Sequence, residues 1–151
     1  MKKLLALGLC IILCVGMTAC GAKSNLQDFY DTVSEVQGLL DIVADDIYTN
    51  WHDAIYEDEF DGDINTAILM AQIENSENLS QIDELDKGIA DVFKKVKDGK
   101  EGDLAKEIMS AYSDYYEFVV NVSGSFKTFS AKKETLKKEL ASLLKDLSYE
   151  L

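Results

Sequence analysis

Apolar residues recur at three- and four-residue intervals along nearly the whole of this chain, and no proline interrupts them in 151 residues. That spacing puts the apolar side chains on one stripe of an α-helix, and such stripes are buried by packing helices along a shared seam. The first series is Leu26, Phe29, Val33, Val36, Leu40, Val43 and Ile47, followed by Asn50 and Ala54. Ser24-Asn25-Leu26-Gln27 fits a capping box at its start, and Asp61-Gly62-Asp63 is a turn signal at its end. The second series runs Ile64, Ile68, Ala71, Asn75, Asn78, Ile82, Leu85, Ile89, Val92 and Val96. Gly99 is its stop, and Lys94, Lys95 and Lys97 suit the negative end of the helix dipole. The third begins near Asp103 and passes through Leu104, Ile108, Ala111, Tyr115, Phe118, Val122, Ser125 and Phe129, then on to Leu136, Leu140, Leu143 and Leu147.

These series predict an all-α protein, an antiparallel bundle of three long helices joined by short links. The first two helices are each about 35 residues, or ~50 Å at the usual rise. The third segment is too long to match them. A glycine inside a helix costs only about 1 kcal/mol relative to alanine, which bends more often than it breaks. The segment is therefore read as one helix kinked near Ser123-Gly124-Ser125, with a break there and a total of four helices as the alternative. In the kinked version Leu140, Leu143, Leu144 and Leu147 extend past the other helices, a bare stripe suited to self-association or to a protein partner. Lys132, Lys133, Lys137 and Lys138 then rise to the level of the acids between Asp53 and Asp63 and pair with them.

The N-terminus reads separately. Lys2 and Lys3 precede an uncharged apolar stretch, Leu4 to Met17, and Thr18-Ala19 supplies small residues before Cys20. The stretch is shorter than the ~20 residues a spanning helix needs. Residues 1–19 therefore read as a secretory signal peptide. Met17-Thr18-Ala19-Cys20 resembles the lipobox of bacterial lipoproteins, with Met17 where leucine is usual. The resemblance implies cleavage between Ala19 and Cys20, a diacylglyceryl thioether on Cys20, and a place on the outer face of the cell membrane. Two acyl chains hold a protein stably where one holds it marginally, at about 0.8 kcal/mol per buried CH₂. The mature chain has no second cysteine, so no intramolecular disulfide forms. Residues 20–24 are the lipidated cysteine and a short tether, and 25–151 the bundle domain. Three or four tether residues reach at most ~15 Å. No cofactor is expected beyond the lipid on Cys20.

All 15 basic residues are lysine, a bias associated with low-GC genomes and hence with a Gram-positive membrane. Loss of Lys2 and Lys3 with the signal peptide leaves 28 acids against 13 lysines, a net charge of −15. Such a surface is repelled by phosphates, which excludes nucleic acid as a partner. Cationic proteins, peptides or metal ions fit it. The charge is uneven: Ser24 to Asp86 holds 17 acids and no lysine, and Lys87 to Leu151 holds 11 acids and 12 lysines. The two halves attract each other within the fold.

Chemistry-bearing motifs are sparse. His52 is the one histidine, so a multi-histidine metal site is excluded. Glu57-Asp58-Glu59-Phe60-Asp61-Gly62-Asp63-Ile64 partly resembles the start of an EF-hand calcium loop. Glu57, Glu59 and Asp61 fall at the first three ligand positions, but the twelfth is Ile68, where a bidentate glutamate is needed. The segment is read as an acidic inter-helix turn, with a weak cation site on Glu57, Glu59, Asp61 and Asp63 as the alternative. Tyr112, Tyr115, Tyr116 and Phe118 read as core packing, and Ser123-Gly124-Ser125 lacks the flanks of a nucleophile elbow. Folding about Gly62 sets Asn50 level with Asn75, and folding again near Gly99 brings Ser123 to Ser125 to that height. Asn50, Asn75, Asn78 and Ser125 thus predict a polar layer in the core, which fixes register or opens into a small cleft. With no nucleophile, base or paired carboxylates indicated, the chain is not read as an enzyme. The expectation is a membrane-anchored, extracytoplasmic binding or scaffolding module. Alternatives are a divalent-cation-binding or metal-dependent protein acting through turn 57–63, and a structural cell-envelope protein.

Overall fold

The computed structural model describes residues 21–151 with their side chains, and traces the backbone of the first helix from Lys2. The expected signal peptide, its cleavage point between Ala19 and Cys20, and the lipidation at Cys20 lie outside the described residues. The chain is all-helical: α1 (Lys2–Tyr56), α2 (Ile64–Glu74), α3 (Ser76–Val96), α4 (Gly102–Val120) and α5 (Phe126–Ser148), with a short 3-10 turn at Glu59–Gly62. Among the described residues no helix is long and apolar enough to cross a membrane.

Pairings between helices give their directions. Glu35 of α1 meets Gln81 of α3, and Asp46 meets Asn75, so α1 and α3 run antiparallel. Asp86 and Asp83 of α3 accept from Tyr112 and Tyr116 of α4, again antiparallel. Tyr48 of α1 stacks on Phe126 at the start of α5, while Lys23 donates to the Leu151 carbonyl at the other end. The third segment has therefore turned back on itself. The α1 helix touches all four others and carries the spine of the core. Its seam residues Leu26, Phe29, Val33, Val36, Leu40, Val43 and Ile47 are all buried. Tyr115, Phe129, Ile82, Ile89, Ile108, Leu140 and Leu147 close on them from α3, α4 and α5.

The helix count is five, neither the expected three nor the alternative four, and two local causes account for it. The expected second helix is divided at Asn75, whose side-chain amide donates to the Ala71 carbonyl and to Asp46. Such a side chain competes with the helical ladder for its own backbone partners. Hydrogen bonds still run into and out of this residue, from its N–H to Ala71 and from the Leu79 N–H to its carbonyl, so the division is a bend. The expected kink at Ser123–Ser125 is a full break. Gly124 is left-handed at φ 95°, and Ser125 caps α5 in a reciprocal box with Thr128.

That break corrects two further expectations. Leu140, Leu144 and Leu147 do not extend past the bundle; they are 0%, 4% and 0% exposed within it. The lysines of α5 do not reach the acids between Asp53 and Asp63. Lys133 pairs with Asp45, and Lys137 with Asp41 and Asp45, because α5 descends from the level of Tyr48. At the N-terminal end, Gly21 to Ser24 lie inside α1, so Ser24 does not begin a helix and these residues are not an extended tether. Gln27, the expected box partner, donates to Asp31 instead.

The turn between α3 and α4 depends on Gly102. A Cβ there would lie 2.3 Å from the Lys97 carbonyl oxygen and 2.8 Å from its carbon, both backbone. Gly102→Ala should destabilise the fold by about 1–3 kcal/mol, the usual cost of overpacking. A urea melt checks this, and an unchanged midpoint would show that the turn relaxes freely.

Candidate functional site

The predicted polar layer assembles only in part. Asn75 is 3% exposed and donates its side-chain amide to Asp46 at 2.8 Å, while its side-chain Oδ1 accepts from the Asn78 amide at 2.7 Å. Asn50 does not join them; it reaches across to the Ala67 carbonyl at 3.4 Å. Ser125 is exposed at the N-cap of α5, where its hydroxyl accepts from the Thr128 N–H. The pairing therefore holds α2 and α3 against α1. The partner that register arithmetic missed is Asp46, four residues before Asn50 and one turn lower on α1.

Turn 57–63 disperses its carboxylates. Asp58, Phe60, Asp61 and Gly62 all have positive φ, at 56°, 56°, 52° and 71°. Glu57, Glu59 and Asp61 are exposed. Asp63 is spent as the N-cap of α2, accepting from the Asn65 and Thr66 N–H groups and from the Thr66 hydroxyl. The Thr66 bonds first, then the Asn65 bond, hold its carboxyl below the usual carboxylate range. Among the described residues no three His, Cys, Asp or Glu side chains come together in a way that could hold a metal ion. His52 lies 2.9 Å from Asp53 and packs against Tyr48, Tyr56 and Phe126, an aromatic cluster that seats the start of α5.

A charged network lines the α1–α5 seam. Tyr115 donates to Asp41 at 2.7 Å, Lys137 meets Asp41 at 3.2 Å and Asp45 at 3.6 Å, and Lys133 pairs with Asp45. The Lys133 ammonium also sits 4.5 Å from the centre of the Tyr48 ring. Burial pulls the Lys137 pKa down, but the Asp41 and Asp45 carboxylates outweigh it and leave it raised. Burial, then the bond to Asp41, pushes the Tyr115 hydroxyl well above its ordinary value; burial and Asp86 do the same to Tyr112. These groups neutralise one another and close the seam, and the predicted tyrosine cluster is part of the core.

Two further surfaces are open. A shallow groove of about 470 Å³ lies between α4 and α5, edged by Glu107, Asp114 and Glu139 with Leu143. The other is the outer face of α2. Ala67 and Ala71 are fully buried on one side of that helix. On the opposite side Leu69, Met70 and Ile73 are 55%, 36% and 55% exposed. Among the described residues α2 packs on α1, the adjoining end of α3 and the 59–62 turn, and nothing lies across its outer side. The periodicity reading passed over these residues by following the seam alone. The signal was present: Ile64 to Ile73 contains no charged side chain in a chain that is 28% charged. A helix with apolar side chains on opposite faces is one expected to be covered on both.

Compared with protein-family models, curated proteins and solved structures, the chain matches none.

Proposed function

We propose that this chain is a binding module tethered by lipid to the outer face of a Gram-positive cell membrane, with no enzymatic activity of its own. The reading takes the helices as an antiparallel bundle in which α2 and α3 form one bent rod and α4 and α5 are the third segment folded back. The observation that carries it is the uncovered apolar face of α2. That face belongs to the half of the bundle remote from Cys20. Residues 24–56 of α1 rise about 50 Å, whereas the 19 residues of α4 rise about 28 Å. At that level α1 carries α2 as well as the start of α5, whose Phe126 packs on Tyr48 and Tyr56 and whose Phe129 packs on Trp51, and among the described residues the outer face of α2 is left without a neighbour. A soluble domain rarely leaves contiguous apolar surface bare unless something docks there.

Anchoring is supported by the lipobox-like Met17-Thr18-Ala19-Cys20 and by the want of a second cysteine in the mature chain. The prediction is direct. The N-terminal peptide of protein recovered from membranes should begin at Cys20 and carry the mass of a diacylglyceryl group. Cys20→Ala should leave the chain unprocessed or release it from the membrane. An unmodified Cys20, or a chain starting elsewhere, would sink the anchor.

A further inference from the structure

From the outer face of α2 we infer a docking site for one partner helix, amphipathic and cationic at both ends. The inference rests on the reading of this chain as a binding module and names the chemistry of what it binds. Leu69 and Ile73 are one turn apart, and Met70 stands three residues before Ile73, so the three form one stripe along the helix. Ala67 and Ala71 hold the opposite stripe flush against α1, both at 0% exposure. A helix laid on the outer stripe would make α2 the middle layer of three, with apolar side chains on both of its faces. Apolar anchors at i, i+3, i+4 and i+7 on the incoming helix match this geometry.

Charge selects the occupant. Acids flank the stripe at both ends: Glu57, Asp58, Glu59 and Asp61 before α2, and Glu74 and Glu77 after its outer face. No lysine lies between Ser24 and Asp86 to answer them. The 11 residues of α2 span about 16 Å, so the fitting helix carries basic residues on either side of roughly three apolar turns. A second copy of this chain brings the same acids to the same edges, and like charges oppose that contact. An anionic bilayer is repelled for the same reason, and the face stands tens of ångströms from the anchor.

The test uses the full-length lipidated protein in nanodiscs of zwitterionic lipid and a designed 18-residue leucine–lysine amphipathic peptide. The peptide should bind the wild type and gain helical signal in far-UV circular dichroism. Leu69→Glu/Ile73→Glu should weaken binding at least tenfold, although it adds two negative charges. Attraction by charge alone would strengthen with those carboxylates, so equal or tighter binding by the variant overturns the inference. Equal binding of a scrambled peptide of the same composition overturns it too. Should the glutamates unfold the protein, Leu69→Gln/Ile73→Gln and hydrogen exchange of the wild type serve instead, with peptide-dependent protection expected over residues 64–74. Protection of that segment in nanodiscs before peptide is added would give the face to the membrane. A wild-type dimer that Leu69→Glu/Ile73→Glu dissociates would give it to a second copy. Mass spectrometry of the same preparation separates the two readings. Lipidated Cys20 with no peptide binding sinks the docking site alone, and unmodified Cys20 with binding intact sinks the anchor alone.

Discussion

Alkali should unfold this bundle cooperatively, with most of the loss falling between about pH 10 and 12. Tyr112 and Tyr115 are 2% and 0% exposed, and each hydroxyl donates to a carboxylate, Asp86 and Asp41. Burial first, then the carboxylate partner, raises both pKa values in the folded chain. The folded protein therefore keeps two protons that the unfolded chain, with an ordinary tyrosine pKa near 10, gives up. Stability tied to these hydroxyls is whole below about pH 10 and is lost as pH rises beyond it. Each pH unit costs about 1.4 kcal/mol per retained proton, so two groups over two units lose about 5 kcal/mol. That is a third or more of the ~5–15 kcal/mol that holds a domain of this size together. The raised pKa of Lys137 acts in the same direction, since the folded chain holds that proton as well.

Urea midpoints at pH 8, 10, 11 and 12 measure the effect. Tyr112→Phe/Tyr115→Phe should begin less stable, by about 1 kcal/mol for each lost hydrogen bond, yet show a shallower decline above pH 10. Absorbance near 295 nm gives an independent readout. Two of the seven tyrosines should ionise only as helical signal disappears. Titration of all seven near pH 10 with the helices intact would refute the account.

Helical content and the buried face of α1 were legible because periodicity and burial are the same fact seen twice. A residue every three or four positions on one stripe has to be inside, and Leu26 through Ile47 are. The break before α5 was legible in principle, yet the residues weighed give it only as the alternative to a kink. Ser125 and Thr128 sit three apart, the spacing of a capping box, but with threonine where glutamate or glutamine is the familiar partner. Weighing Gly124 by its helix propensity alone left out the cap, and the cap adds to the glycine cost on the side of a break. The errors about the height of α5 followed from that one. A segment that continues upward leaves the leucine stripe bare and sets the lysines beside Asp53 to Asp63; the segment that folds back buries Leu140 and Leu147 and sets Lys133 and Lys137 beside Asp41 and Asp45. The candidate site was hidden for a different reason. Seam analysis asks which residues face inward and is silent about a helix whose outer face is apolar too, and α2, uncharged from Ile64 to Ile73, is one.

Phe129→Ala should cost about 4 kcal/mol and lower the melting temperature by about 10–20 °C. Phe129 is 1% exposed, with its ring 4.7 Å from Phe118 of α4 and 5.4 Å from Trp51 of α1. It is where the returning helix meets both of its neighbours just after the turn. Truncation removes the apolar area and leaves a cavity between three rigid elements, which cannot all collapse into it. The Trp51 indole N–H is buried with no partner among the described residues, so this junction is held by packing. Exposed Leu69→Ala should change stability by less than about 0.5 kcal/mol and is the control. Hydrogen exchange adds a direction: loss of Phe129 should loosen α5 more than α3, because α3 is fixed to α1 through contacts that the substitution leaves untouched. A cost below about 1 kcal/mol would mean that Phe129 is not enclosed, which is the outcome required by a third helix that ran straight on past Gly124.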